Sequence, residues 1–523
     1  MLKPTGYVTL TELDHQIFEA IVPADHYLRR VKQAVDFAAF RPNLASHYDP
    51  EKGRPPIEPI LLLQLEFLQF HYGLSDREVV AQSQVNMAFR FFLDLSLNSA
   101  LPDPSLLTYF RRRLGPKAHQ QVFQDLITQA RQLGLVQDRL RLKDATHVLA
   151  NIAVPSTLAL VAQVRDRLLE AAAVFAPEPV AQARDELQHL RTASADLPEA
   201  QRLVQRVAHL RAVVAWADAL LVPADPTAPE PDPARQHLRQ ALELAHKVLH
   251  DRADPEAPDQ LISAEDPEAR TGWHHQWFDG YLLDIAMDAE SEFITAINVL
   301  PANADEAADA SGLIQQEEQA QGNDIQTLSL DGVGFRGDLL QQWTDPAGLG
   351  LEVIVPPSEP AKAAGFSPEA FTLDAAGEVL TCPAGKTTRT RQRNTNGTGW
   401  KYRFAARHCN GCPLRQRCFA DPEKGRRRTV IKNDYEAAYR AAREKAQTPR
   451  YEDVRRCHPR VERKLGELVR GHAARRARYR GRAKVWIQGL LTGLVVNVKR
   501  LVKLVEGAAQ PTAGTVRAGG VGV

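Results

Sequence analysis

The sequence predicts an α/β chain in which a bundle of short helices precedes a mixed layer of strands and helices. Three stretches carry that prediction. Residues 138–154, DRLRLKDATHVLANIAV, alternate like a strand; residues 278–303, FDGYLLDIAMDAESEFITAINVLPAN, read as a hairpin turning at residues 289–292; and residues 328–335, LSLDGVGF, read as a strand that stops at a glycine turn. A helix over residues 305–322 falls between the hairpin and the last strand, and the order strand, hairpin, helix, strand describes one mixed layer.

The 523 residues suffice for roughly three domains. Hydrophobic content of 44% with 25% charged residues fits a soluble globular protein and excludes disordered and collagen-like classes. The first residues, MLKPTGYVTLTELDHQ, have no apolar run after the lysine, so a cytoplasmic chain is expected. The longest apolar stretch, VWIQGLLTGLVVNV at 485–498, is interrupted by Gln488 and Asn497 and is shorter than a bilayer span, so no membrane segment is expected. The net charge of +1 hides an asymmetry. Residues 386–428 hold 13 Lys or Arg against 2 acids, and residues 455–506 hold 15 against 3. Clustered basic charge is the footprint of a phosphate-backbone partner, with a solvated helix face as the plainer reading.

The first segment, to residue 135, reads as short helices. PIEPILLLQLEFLQFHYG has apolar residues at helical spacing, Ser75 with Glu78 forms a capping-box pattern, and NMAFRFFLDL leads to PDPSLLTYFRRRLG, where Ser105 is the expected N-cap and Arg111, Arg112 and Arg113 lie near the helix end. Such helices suit a helix-turn-helix DNA reader and a plain bundle about equally.

In the strand that follows, Leu140, Leu142, Asp144, Thr146 and Val148 share one face, so Asp144 stands among apolar neighbours and needs compensation there. Residues 155–262 change to an Ala, Leu, Arg and Glu composition with proline punctuation, and read as three or four amphipathic helices inserted between strands. Asp331 ends the strand of LSLDGVGF. Asp before Gly is common where a strand stops, so the bland reading is a turn residue. Further on, Val461, Leu465, Leu468 and His472 make a helical stripe with Glu462 beside its first member; an ordinary surface glutamate is the default there. Residues 483–505 then read as a mostly buried helix with a basic end.

All five cysteines lie after residue 380, and four have metal-ligand spacing: Cys382, then Cys409-x2-Cys412-x5-Cys418. Their polar, basic surroundings favour a structural zinc ion over four free thiols or an iron–sulfur cluster. Cys457 stands apart.

Two carboxylates on strands and a third on a later helix are what a two-metal phosphoryl-transfer site requires, since hard oxygen ligands hold Mg²⁺ ions that clamp an in-line displacement. The residues resemble the DDE transposases of bacterial insertion sequences, in particular the group with the InsH-type N-terminal domain. GRPPIEPILLLQLEFLQFHYGLSDREVVAQ and PDPSLLTYFRRRLG resemble that domain; LKDATHVLA resembles the first catalytic strand, LSLDGVGF the second, and VERKLGELVRGHAARRARYRG the helix that brings the third acid.

The resemblance implies a ribonuclease-H-like mixed sheet with helices, preceded by an all-α N-terminal domain and carrying a helical insert and a Cys-rich zinc-ribbon-like insert. It implies Asp144, Asp331 and Glu462 as a triad binding two Mg²⁺ or Mn²⁺ ions, double-stranded DNA partners (terminal inverted repeats and target DNA), a homodimer in a synaptic complex, and a bacterial cytoplasmic location on the nucleoid. The basic residues expected to meet DNA are Arg111, Arg112, Arg113, Arg475, Arg476, Arg478 and Arg480; Cys382, Cys409, Cys412 and Cys418 would hold structural zinc.

The expected organisation is a DNA-binding domain over 1–135, catalytic core over 136–154 and 263–375, a helical insertion over 155–262, a Cys-rich basic insertion over 376–430, core helices over 431–510 and a disordered tail over 511–523. Relatives carry a Tyr-x2-Arg-x3-Glu-x6-Lys signature, whose positions here are Arg455, His458, Glu462 and Val469. Only the glutamate matches, which leaves Arg456, Arg460 or Arg470 to supply positive charge and Glu467 as the rival third acid. The departure motivates two alternatives: a catalytically inactive, transposase-derived DNA-binding protein, and a structure-specific nuclease on the same fold.

Overall fold

The computed structural model describes residues 10–49, 57–221, 232–358 and 365–509, except positions 275, 375, 396, 420 and 425. The expected tail at 511–523 lies outside them. The fold is mixed α/β with a helical N-terminal region.

That region is organised around the helix Pro59–Tyr72, buried along nearly its whole length, Glu66 included. Glu66 is tolerable there because Arg111 and His119 reach it at 3.3 and 3.4 Å. The capping box forms: Glu78 donates its amide to Ser75 Oγ, and Ser75 donates its amide to Glu78 Oε2 at 2.8 Å. Ser105 is the first residue inside its helix and not the cap; its amide goes to Asp103 Oδ1 at 2.9 Å and Pro104 takes the cap position. The helix does not end after the three arginines. It kinks at Gly115, in the left-handed region and followed by Pro116, and runs on to Gln132.

The sheet comprises β1 (Leu140–Leu149), β2 (Arg270–His274), β3 (Gln276–Asp288), β4 (Ile294–Pro301), β5 (Thr327–Ser329) and β6 (Glu352–Ile354). β3 pairs antiparallel with β1 on one side and with β2 and β4 on the other; β1 pairs parallel with β5, and β5 with β6. The helix Glu306–Gln321, capped by Asp305 and closed by Gly322 in the left-handed region, connects β4 to β5. The order places Asp144, on β1, beside the strand whose end leads to Asp331.

Both faces of β1 are buried, where alternation suggested one. Arg141 is 0% exposed and forms ion pairs with Glu317 at 2.6 Å and Asp288 at 2.9 Å. Lys143 reaches Asp284 at 3.1 Å and donates to the Glu306 carbonyl at 2.7 Å. Asp144 faces the opposite way.

The helix Arg482–Ala509 packs on β4 and on the long N-terminal helix. By length and composition alone it could cross a membrane, yet 83% of its apolar window is buried within the protein, as for a core helix. Its polar interruptions are explained by pairing. Asn497 donates to the Ile294 carbonyl and accepts the Ile294 amide, completing β4, while Gln488 accepts the Arg478 amide and donates to the Arg476 carbonyl. Close approach needs small residues: a Cβ at Gly493 would stand 2.4 Å from Ile297 Cδ1.

Between β1 and β2, the described residues form four α-helices, Thr157–Ala172, Pro177–Ala193, Glu199–Ala217 and Pro233–Ala253, with their own apolar core. After β6, two small three-stranded sheets enclose Phe371, Leu380, Tyr402, Phe404, Cys409 and Val430.

Replacing Arg141 by Met leaves Glu317 and Asp288 buried without their shared partner. Denaturant unfolding should show a loss of about 3–5 kcal/mol; a loss below about 1 kcal/mol would contradict a compensating role for Arg141.

Candidate active site

Asp144, Asp331 and Glu462 line one cleft of about 670 Å³, together with Thr146, His274, Val469, Arg470 and Arg475. Each acid arrives from a different element. Asp144 projects from the middle of β1 and accepts the Ala145 amide at 2.8 Å. Burial, and after it the charge of Asp331, push its carboxyl up to about 7 against the opposing pull of that amide. Asp331 lies two residues beyond the end of β5, caps the short turn Gly332–Gly334 and accepts the Val333 amide at 3.2 Å. It is therefore a turn residue and a cleft residue at once. Glu462 lies in the first turn of the helix Pro459–Gly471 and is exposed.

Glu467, the rival third acid, is engaged elsewhere. It pairs with Lys464 at 3.1 Å and Lys499 at 2.9 Å, on the side of the helix facing Arg482–Ala509, and does not line the cleft.

A further positive charge near the acids comes from Arg455, which the sequence pattern showed only as a mismatched signature position. Arg455 donates to the Leu330 carbonyl at 2.6 Å and to Ser329 Oγ at 3.4 Å. Burial lowers its guanidinium from the ordinary range, and the charges of Asp331 and Glu462 are among those that oppose this. Of the three arginines expected in that role, Arg456 is 72% exposed and pairs with Asp453 and Glu452, Arg460 donates to the Ala289 carbonyl, and Arg470 alone lines the cleft. His458, buried at the start of the acid-bearing helix, places Nδ1 3.2 Å from Ser329 Oγ. Ser329, Arg455 and His458 thus tie the strand leading to Asp331 to the helix of Glu462. Arg455 and His458 occupy the signature positions at which the sequence showed only mismatches.

The basic segment before the last helix runs along the end of β1. Leu149 donates its amide to the Arg475 carbonyl, Ala477 donates to the Leu149 carbonyl, both at 2.8 Å, and Arg475 donates from its side chain to the His147 carbonyl at 2.6 Å. Arg476 is exposed beside it. Arg480, also exposed, pairs with Glu265 at 2.6 Å and donates to the Asn151 carbonyl. Arg478 is committed to the N-terminal region, where it donates to the Leu74 carbonyl at 2.9 Å and lies over the Phe70 ring.

In the N-terminal helix, Arg112 and Arg113 are exposed over Tyr109 and Tyr48. Arg111 corrects the expectation of a DNA contact: it is buried, ion-paired with Glu66 and Asp76, because a buried glutamate on the central helix requires a cation.

Three of the four spaced cysteines come together. Cys382, Cys409 and Cys418 join one cluster, and burial, then the neighbouring Cys409, Cys412 and Cys382, push the Cys418 thiol up. Among the described residues, no three His, Cys, Asp or Glu side chains stand close enough to hold a metal ion as placed, at either the acids or the cysteines.

Comparison with known families gives two matches: a transposase domain (DUF772) over residues 16–113 and a transposase DDE domain over residues 381–502. Both are domains of transposases, and each covers less than a quarter of the chain. Present together in one chain, they support an insertion-sequence DDE transposase, the family that the sequence resembles. The second match includes Glu462 and the four spaced cysteines, whereas Asp144 and Asp331 fall between the two. Neither the curated proteins nor the solved structures give a match.

His458 supplies a pH test. Burial, then the Arg455 charge, depress its folded-state value from 6.5 to about 4. The stability tied to its neutral form is fully present above 6.5 and is lost as pH falls from there toward 4. His458→Gln should flatten that decline in urea unfolding between pH 7 and pH 4; an unchanged slope would contradict the burial of a neutral ring.

Proposed function

We propose that the chain cuts and joins DNA at the terminal inverted repeats of its own element, using Asp144, Asp331 and Glu462 on a ribonuclease-H-like core. The observation that carries this reading is the convergence of the three carboxylates, from two adjacent parallel strands and a later helix, on one cleft. The antiparallel run β4–β3–β1, followed by parallel β5 and β6, supports the core assignment.

The donor set fits hard divalent cations: three carboxylates offer only oxygen, and a buried Asp144 opposed by the charge of Asp331 is an electrostatic cost that such cations offset. Asp144, Asp331 and Glu462 would hold two Mg²⁺ or Mn²⁺ ions, which when bound supply activation of water and stabilisation of charge on the transferring phosphoryl group. The protein's own cations act beside them. Arg470 and Arg475 at the cleft draw the scissile phosphate in, and Arg455 steadies Asp331 and Glu462. In the reaction that the resemblance implies, water attacks the phosphorus at the element's end, a 3′-hydroxyl leaves, and that hydroxyl then attacks target DNA.

Duplex DNA would lie across Arg112 and Arg113 of the N-terminal helix and across Arg475, Arg476 and Arg480 near the cleft, as phosphate contacts that position without reading sequence. Two chains would hold the two ends in a synaptic complex. In the Cys-rich segment, Cys382, Cys409, Cys412 and Cys418 would supply the four thiolates of one tetrahedral zinc site.

The test is cleavage of DNA carrying the element's ends in Mg²⁺ or Mn²⁺. Asp144→Asn, Asp331→Asn and Glu462→Gln should each reduce strand scission on the order of 10²-fold or more while leaving DNA binding intact; scission persisting in Asp331→Asn would contradict the triad. Specific binding without scission at any metal concentration would identify an inactive DNA reader, and scission of DNA lacking repeats a structure-specific nuclease. For the cysteines, metal analysis should find about one zinc per chain, lost in the Cys409→Ser, Cys412→Ser variant; a freshly reduced sample free of zinc would contradict the site.

A further inference from the structure

The inserted helices bury a group of cations that none of the chemistry above uses. Arg165, on the helix Thr157–Ala172, is 0% exposed; Arg206 and His209, on the helix Glu199–Ala217, are 8% and 6% exposed. Arg202, half-buried, stands one turn before Arg206, and His209 one turn after it, so the three share one face of their helix. Arg191, exposed near the end of the helix Pro177–Ala193, completes the group.

Like charges gathered inside an apolar bundle need an answering charge, and here compensation is incomplete. Arg165 donates from Nε and Nη2 to Asp166 Oδ1 at 3.0 and 2.7 Å, but its Nη1 is buried without a partner. Arg206 has only neutral partners among the described residues: Nη2 donates to Ser194 Oγ at 2.9 Å and to the Leu190 carbonyl at 3.5 Å, and Nη1 is again buried and unpaired. Burial, then the charges of Arg165, Arg191 and Arg202, hold the Arg206 guanidinium below its ordinary range. His209 donates from Nε2 to the Ala183 carbonyl at 2.9 Å, which leaves its buried Nδ1 as an acceptor with no donor. Burial lowers this ring as well; the charges of Arg165 and Arg206 add to that, while the Ala183 carbonyl and Glu186 oppose it. Glu186 itself accepts from Gln182 at 3.0 Å.

We infer that the helices Thr157–Ala172, Pro177–Ala193 and Glu199–Ala217 enclose a binding site for a small, proton-bearing oxyanion such as hydrogen phosphate, held by Arg165, Arg206 and His209. A negative charge offsets the repulsion among the guanidinium groups, which a water molecule would leave in place, and the two unpaired Nη1 groups present N–H donors to its oxygens. The O–H of hydrogen phosphate donates to His209 Nδ1; sulfate, which carries no proton near neutral pH, leaves that acceptor unanswered. Gln205 Oε1, on the same face of the helix by its spacing, is also buried without a donor and is a second acceptor of this kind. The ligand is a free anion and not a phosphate of the DNA backbone, because the atoms that hold it lie beneath the helix surface, with Arg202 and Arg191 leading in from solvent. None of these residues lines the acid cleft, so the inference stands apart from the DNA reading. Once bound, the anion ties three helices of the insertion together.

The experiment is equilibrium dialysis of the full-length protein against radiolabelled inorganic phosphate, in chloride buffer near neutral pH. Wild-type protein should retain about one phosphate per chain, and retain it when saturated with duplex DNA. Arg206→Met should weaken uptake about 10- to 100-fold, as expected for loss of a hydrogen bond to a charged group, with circular dichroism confirming that the variant is folded. Should that variant not fold, Arg202→Gln, at the half-buried side of the site, should weaken uptake in the same direction. His209→Gln, whose amide can still donate to the Ala183 carbonyl, should remove the preference for phosphate over competing sulfate and leave sulfate binding in place. No uptake by the wild-type protein overturns the inference, as does uptake unchanged in the folded Arg206→Met and Arg202→Gln variants. Release of the phosphate by duplex DNA assigns it to the DNA-binding surface and overturns the free-anion site. Equal affinity of the wild-type protein for sulfate and phosphate overturns the role of His209 Nδ1 as the acceptor.

Discussion

The structure depends on keeping charge inside a strand that is covered on both faces. β1 is central, pairing with β3 on one edge and β5 on the other, and it carries Arg141, Lys143 and Asp144 in four consecutive residues. An isolated charge there would cost several kcal/mol. Arg141 is compensated by Glu317 and Asp288, and Lys143 by Asp284 and the Glu306 carbonyl. Asp144 alone has no cation of this kind and opens instead on the cleft. Compensating the other two from the helix-covered side leaves one face of β1 open on the cleft, and the raised value of Asp144 reflects its burial there and the nearby charge of Asp331.

The same logic organises the second and third acids. Ser329, Arg455 and His458 join the end of β5 to the start of the helix carrying Glu462, so the spacing of those two carboxylates is fixed by a buried polar contact and not by the surface on which Glu462 sits. The N-terminal region is bound into this frame through the helix Arg482–Ala509, which packs on the sheet and on the helix Ser105–Gln132, and through Arg478, which spans from the basic segment to the Leu74 carbonyl. A helical region attached in this way moves with the cleft.

Much of this was legible in the sequence because it is local. Alternation in residues 138–154 marks β1 and sets Asp144 on a buried face, the capping pattern at Ser75 and Glu78 forms as written, and the hairpin and helix between Phe278 and Gly322 fall where their turns and caps direct. What sequence could not supply is tertiary compensation. Arg111 resembled its exposed neighbours until the buried Glu66 claimed it, Gln488 and Asn497 looked like interruptions until their backbone partners were known, and Arg455 looked like a lost tyrosine until it was found against Leu330 and Ser329. In each case the partner lies far along the chain, and nothing in the local pattern specifies it.

The central claim is that Asp144, Asp331 and Glu462 share metal ions. Replacing Mg²⁺ with Fe²⁺ and generating hydroxyl radicals in place cuts a polypeptide next to the bound iron, so the cut sites report the ligands without any DNA substrate. The account predicts three sets of fragments, ending near residues 144, 331 and 462, all suppressed by excess Mg²⁺ and all lost in Asp331→Asn. Cuts confined to one of these positions, or a pattern indifferent to Mg²⁺, would contradict a shared site.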